Sequence, residues 1–278
     1  MNGVAVTMSI RRKDLKEGKR IAMGGMAELT LASDPEGRQV VIRQLHRRLV
    51  FNVRVHRGFL RGIRLRRSLC PHPNLACPIS HGYSGLVPYE IIEYVPGENL
   101  RELIMHRHES VRTHALEILR QVAEALAYMH TQHVLHLDVK PENTLVDNTD
   151  MAAGLKVKLT DFDLSRHCSH GKIRSRSGTV SHMAPEQLRG GCISYANDIF
   201  AFGVMAYYLV TGKMPFSGFS LEQMRKQQAS RRTEVAEPRR FNADLAPKLN
   251  WIIVRCLEKD RAKRFPSMSY LTQELGRI

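Results

Sequence analysis

Apolar residues recur along this chain with two periods, and the change from one to the other divides it. Ile21-Ala22-Met23, a Gly24-Gly25 break and the alternation resuming at Leu29 and Leu31 predict a strand, a turn and a second strand. Val40-Val41-Ile42-Arg43 is a short β-branched strand ending in a cation. Phe59 to Leu69 has the apolar spacing of a helix, and Tyr89 to Val95 is an apolar strand stopped by Pro96-Gly97. Beyond Glu98 the period turns helical. Leu100 to Ile104 and Thr113 to His133 are expected helices, the second placing Leu116, Ile118, Leu119, Val122, Leu126 and Met129 on one buried face. A polar loop, His136 to Asn143, then precedes the apolar Thr144-Leu145-Val146. Lys156 to Asp163 alternates as a strand, and Leu164 to Thr179 is rich in arginine and serine. Further helices are expected from Asp198 to Leu209 and over 221–228, 249–257 and 268–275. Strands early and helices late predict an α+β fold.

The polar loop carries the candidate chemistry. Asp138, Lys140 two residues on and Asn143 five residues on can accept a hydroxyl proton, steady a phosphate and hold a metal ion, the three tasks of phosphoryl transfer. Those residue types also occur in any solvated loop, so the neighbours decide. The stretch resembles the catalytic loop of protein kinases, and Lys140-Pro141-Glu142-Asn143 is the wording of the serine/threonine branch. The series continues in order through Gly24, Asn143, Asp161, the Ala184-Pro185-Glu186 segment, Asp198 and Arg264, so the resemblance spans residues 15–275.

That resemblance implies a two-lobed protein kinase fold, a β-rich small lobe over 1–94 and a helical large lobe over 95–278. It implies ATP and Mg²⁺ as cofactors and a protein substrate or regulatory partner. Asp138 would be the base, with Lys140 beside it, and Asn143 and Asp161 the oxygen ligands of the metal. Gly24, Gly25, Val41, Arg43, Ile92, Glu93 and Val95 would contact the nucleotide, Ile92 as gatekeeper and Glu93 and Val95 through backbone hydrogen bonds to adenine. Thr179 would stand near Asp138, Glu186 would pair with Arg264, and Asp198 would brace the catalytic loop.

Several positions depart from the family pattern. Ala22 and Ala27 replace glycines of the phosphate-covering loop, Arg43 replaces the phosphate-holding lysine, and Gly62 falls where its glutamate partner belongs. No acidic residue lies between Gly37 and Tyr89, so the usual lysine–glutamate pair cannot form in its usual way. Asp163 ends the magnesium segment in place of glycine, losing its φ freedom. Leu137 stands where many relatives carry the arginine that reads a phosphate on the activation segment, so control of that kind must work differently or be absent. Ser175 and Ser177 are the candidate modification sites. Two readings follow: a pseudokinase or strongly weakened kinase that binds Mg²⁺–ATP, or an active, atypical serine/threonine kinase with Arg43 on the phosphates. A small-molecule phosphotransferase fits Lys140, Ala184-Pro185-Glu186 and the Asp198 helix less well.

Charge adds one element. The chain holds 42 Lys+Arg against 27 Asp+Glu, a net +15, with arginine concentrated early. Such a surface suits an acidic partner, although a charge run is usually a solvated face. Five scattered cysteines without a Cys-x-x-Cys pair argue for reduced thiols. The clusters Cys70, His72, Cys77, His81 and His167, Cys168, His170 lack compact ligand pairs for zinc. No apolar run approaches the length of a membrane span, and Met1–Met8 with Arg11-Arg12-Lys13 behind it is not a secretory leader, so a cytoplasmic protein is expected.

Overall fold

The computed structural model describes residues 10–150, 154–168, 178–216, 220–230 and 233–278. The chain forms two compact units, residues 1–71 with 76–94, and residues 72–75 with 95–278.

The first unit is an antiparallel sheet and a helix. Strands β1 (Lys16–Met23), β2 (Ala27–Ser33), β3 (Gln39–Leu45), β4 (Pro78–Ser84) and β5 (Val87–Glu93) are ordered β1-β2-β3-β5-β4. Helix α1 (Val53–Leu69) lies between β3 and β4 in sequence. Strand alternation sorts the apolar residues onto two faces. Val40, Ile42, Tyr89 and Ile91 join Leu15 and Ala32 on one, whereas Leu45 packs with Ala27, Val87 and the α1 residues Phe59 and Ile63 on the other. The helix begins six residues before its apolar spacing does, because Asn52 caps it by accepting from the Val55 N–H at 3.2 Å. In its first two turns Val53, Arg54 and Arg57 are exposed, which hides that start from a hydrophobic pattern.

In the second unit β6 (Glu98–Asn99) leads into α2 (Leu100–Met105), α3 (Glu109–Thr113) and α4 (Ala115–Thr131). Of the face expected for α4, Ile118, Leu119, Val122, Leu126 and Met129 are buried and Leu116 is half-buried. Strand β7 (Val134–Leu135), the polar loop, β8 (Thr144–Asp147), β9 (Lys156–Leu159) and β10 (Arg166–His167) follow, pairing as β6-β8-β9 and β10-β7. After α5 (Pro185–Leu188), α6 (Tyr195–Thr211) is apolar all round and buried over most of its length. Gly203 makes that possible: a Cβ there would lie 2.5 Å from the Cβ of Cys256. Gly212 then ends the helix at φ +67°, a conformation that suits glycine. Helices α7 (Leu221–Ala229), α8 (Pro247–Cys256) and α9 (Met268–Leu275) complete the unit, α8 packing on α6 and α9 on α4. No described helix is long and apolar enough to cross a membrane.

Candidate functional site

The polar loop is shaped by the strand before it and the helix beneath it. After β7 the chain turns with Leu137 at φ +66°, and the buried carboxylate of Asp198 on α6 takes the N–H groups of His136 at 2.9 Å and Leu137 at 2.8 Å. His130 Nε2 lies 2.9 Å from the same carboxylate. Burial alone would push the Asp198 pKa up, but the His130 contact and these amides outweigh it and hold the carboxyl below its usual range. His136 accepts from the Asp138 N–H at Nδ1 and so donates from Nε2 to the Thr160 carbonyl at 3.1 Å. Burial depresses its pKa and keeps the ring neutral.

The loop presents Asp138 within a closed set of partners. Its Oδ2 accepts from Lys140 Nζ at 2.7 Å and Asn143 Nδ2 at 3.0 Å; its Oδ1 accepts from the Thr179 N–H at 3.1 Å and hydroxyl at 2.9 Å. Lys140 Nζ also donates to Thr179 Oγ1 at 2.9 Å, so the hydroxyl links cation and carboxylate. Burial would raise the Asp138 pKa, yet Lys140, then Thr179, more than offset it and keep the carboxylate ionised.

Asn143 donates from its amide nitrogen to the Asp138 carbonyl at 2.9 Å and to its carboxylate, which turns the amide oxygen away as a candidate ligand atom. Asp161 follows β9 at φ +61° and accepts from the Asp163 N–H at 3.4 Å. The left-handed residue of this segment is therefore Asp161, and Asp163, with φ outside that region, does not use the freedom a glycine would give. The expected cost at 163 is absent for that reason. Both candidate ligands offer hard oxygens, so the donor set fits Mg²⁺.

Elsewhere in this unit, Arg264 clasps Glu186 with Nη1 and Nη2 at 2.8 and 2.9 Å and also donates to the Ala196 carbonyl. Leu137 packs with Leu135 and Ile193, beside Leu164, Cys168 and Tyr195, an apolar setting unlike one built for an arginine. Val95 is buried here. Ser175, Ser177 and His170 lie outside the described residues.

The remaining candidates lie in the first unit. The β3–β5 register sets Val41 opposite Ile92, Val40 opposite Glu93 and Arg43 opposite Glu90. Arg43 donates to Glu90 at 3.0 Å, a pairing that sequence reasoning missed because the search for a carboxylate stayed with the helix. Glu93 donates its N–H to the Cys77 carbonyl at 3.0 Å and accepts the Cys77 N–H at 2.6 Å. Gly24 and Gly25 form the β1–β2 turn, closed by the Gly24 N–H on the Ala27 carbonyl at 2.9 Å. Neither has positive φ, and a Cβ at Gly25 would meet nothing within 4 Å. The turn itself does not demand glycine at 25. His72, of the second unit, accepts from the Asn74 N–H, and no cluster of metal-ligating side chains occurs among the described residues.

Comparison with known proteins identifies the family. Residues 15–275 match the family model of the protein kinase domain. The serine/threonine-protein kinase PrkC of Bacillus subtilis is 31% identical over 249 residues, 88% of this chain and 37% of its own length. The serine/threonine-protein kinase PknB of Mycolicibacterium smegmatis is 27% identical over 94% of this chain and 42% of its own. For pkn2 of Myxococcus xanthus, also a serine/threonine-protein kinase, the values are 31%, 92% and 31%. The chain thus spans about two-fifths or less of the length of these relatives.

Proposed function

The chain belongs to the protein kinase domain family, and from that premise we propose that it is an active serine/threonine protein kinase, transferring the γ-phosphate of ATP to a protein hydroxyl. The observation that carries this reading is the closed Asp138–Lys140–Thr179 arrangement, with an ionised carboxylate 2.7 Å from an ammonium. As the substrate oxygen attacks the γ-phosphorus, Asp138 takes its proton and the bond to the β-phosphate oxygen breaks. Lys140 balances charge at the same point, and Thr179 keeps the two in register. Asn143 and Asp161 are the residues that would hold Mg²⁺, which when bound supplies positive charge to the phosphate oxygens.

Toward the nucleotide we assign Gly24 and Gly25, Val41, Arg43, Ile92, Glu93 and Val95. At Gly25 the turn leaves the missing Cβ unexplained, and close approach of a phosphate to the backbone explains it. The exchange of lysine for Arg43, with Gly62 and Ala22, supports the competing reading of a pseudokinase or weakened kinase. Against it stands the pairing of Arg43 with a carboxylate.

The decisive experiment is transfer of labelled γ-phosphate from ATP, with Mg²⁺ and then Mn²⁺, to the chain and to a generic basic protein. Incorporation that disappears in Asp138→Asn is expected. No incorporation with nucleotide binding intact would overturn phosphoryl transfer and leave a nucleotide-binding scaffold.

The exposed arginines of α1, Arg54, Arg57, Arg64 and Arg67, recur at helical spacing in a stretch without a carboxylate. They support a further role in docking an acidic regulatory protein. Steep loss of such binding between 50 and 500 mM salt, on the order of tenfold or more, is the expected mark of it.

A further inference from the structure

Arg43 on β3 and Glu90 on β5 are register partners, and Arg43 Nη1 donates to Glu90 Oε1 at 3.0 Å. From α1, Arg66 Nη1 stands 3.6 Å from the same oxygen. The side chains of Arg43, Glu90 and Arg66 are only 8, 1 and 1% exposed. Burying guanidinium groups this deeply is costly unless a counter-charge accompanies them. After Glu36 the first acidic side chain in the sequence is Glu90. It arrives on β5, one strand over from Arg43, on the face of the sheet that α1 covers.

The same packing fixes the plane of the guanidinium. Its carbon lies 4.6 Å from the centre of the Phe59 ring on α1, so Phe59 holds the face while Glu90 holds an edge. A lysine ammonium has no plane to be held this way. Arginine at 43, phenylalanine at 59 and glutamate at 90 therefore make one arrangement.

We propose that Glu90 is a positioning residue for Arg43, aiming its guanidinium at nucleotide phosphates from within the sheet. In the kinases this chain resembles, a helix carboxylate does that work; here the helix contributes the cation Arg66 and the sheet contributes the carboxylate. Arg66 brings a second guanidinium to the same oxygen, so the charge of Glu90 is shared between two cations and does not fall on Arg43 alone. The inference rests on the nucleotide reading above, and it places the aim of Arg43 under strand register rather than under a glutamate of α1.

Calorimetric titration of the whole chain with Mg²⁺–ATP and with adenosine tests it, using Glu90→Gln, Arg43→Met and the two combined. The unaltered chain is expected to prefer ATP to adenosine. Glu90→Gln should weaken ATP by about tenfold, the worth of one charge-assisted hydrogen bond, and leave adenosine unchanged. In the Arg43→Met background the same change should have no further effect. An unaltered chain with no preference for ATP would sink the nucleotide reading itself. A preference that Glu90→Gln leaves unchanged, strengthens, or weakens equally without Arg43 would overturn the role given to Glu90; strengthening is what mere removal of a negative charge predicts. Should Glu90→Gln fail to fold, Glu90→Asp keeps the charge but withdraws it by one methylene. ATP must then weaken by about threefold or more, with adenosine unchanged, or the proposal fails.

Discussion

Asp198 accepts the backbone N–H of Leu137 at 2.8 Å, and Leu137 is held at φ +66°, a conformation that costs a non-glycine residue about 1 kcal/mol. A carboxylate from α6 thus stabilises a strained turn one residue before Asp138. Helix packing and site geometry meet at this bond. Asp198→Asn keeps one acceptor oxygen where the carboxylate used both, Oδ1 for Leu137 and Oδ2 for His136 and His130. A loss of about 2 kcal/mol in urea unfolding is expected, and phosphate transfer should fall with it.

Leu137→Arg would restore the residue many relatives carry, but into the cluster of Leu135 and Ile193. A guanidinium there has to be desolvated, so the variant should be less stable by about 2 kcal/mol or more. Thermal unfolding would register this. Unchanged stability would mean that the arginine finds a partner the apolar packing does not suggest.

Arg264 is fully buried and satisfies Glu186 and two backbone carbonyls, those of Ala196 and Glu258. Arg264→Met should cost about 3–5 kcal/mol, because the carboxylate and both carbonyls lose their donor. Arg264→Lys should recover only part of that, since an ammonium cannot make the two parallel bonds. Midpoints of chemical denaturation for the three proteins check the order.

Thr179→Ala removes the hydroxyl that stabilises the ionised form of Asp138. The Asp138 pKa should then rise toward its ordinary value, moving the acid limb of the pH–rate profile to higher pH. Thr179→Ser keeps the hydroxyl and should leave the limb in place. A profile unmoved in both variants would show that Thr179 does not tune the carboxylate.

His182 is buried beside the loop that carries Asp138, and burial lowers its pKa to about 4. Its unfolded form titrates near 6.5, so between those values the unfolded chain binds a proton that the folded chain refuses. The contribution to stability is complete above about pH 6.5 and is lost as the pH falls toward 4, on the order of 3 kcal/mol in all. His182→Phe should flatten this part of the stability–pH curve, which urea midpoints at pH 7.5 and 5.0 would reveal.

Much of the fold was legible along the chain because strands and helices write their periods locally. The buried face of α4 and the span Met268–Leu275 of α9 follow from spacing alone. The start of α1 did not, because it rests on the Asn52 cap and on a turn that leaves Val53, Arg54 and Arg57 exposed, so no buried apolar period marks it. The grouping of Asp138, Lys140 and Asn143 was legible in their order, since a loop between two short strands keeps neighbours in sequence near one another in space. Residues far apart were another matter. The absence of a carboxylate from α1 suggested that Arg43 lacked its partner, while the carboxylate lay 47 positions on, ordinary in the composition of β5.

What the sequence determined by itself was most of the longer elements, the family and the residue types gathered in the polar loop, each a matter of short spacing. Only the tertiary structure decided the φ of Leu137 and Asp161, the hold of Asp198 on the loop and the partnership of Arg43 with Glu90. Those depend on which strand lies beside which and how a buried helix is turned. They are settled by packing within each unit's own core, where burying a charge is tolerated only beside the group that answers it.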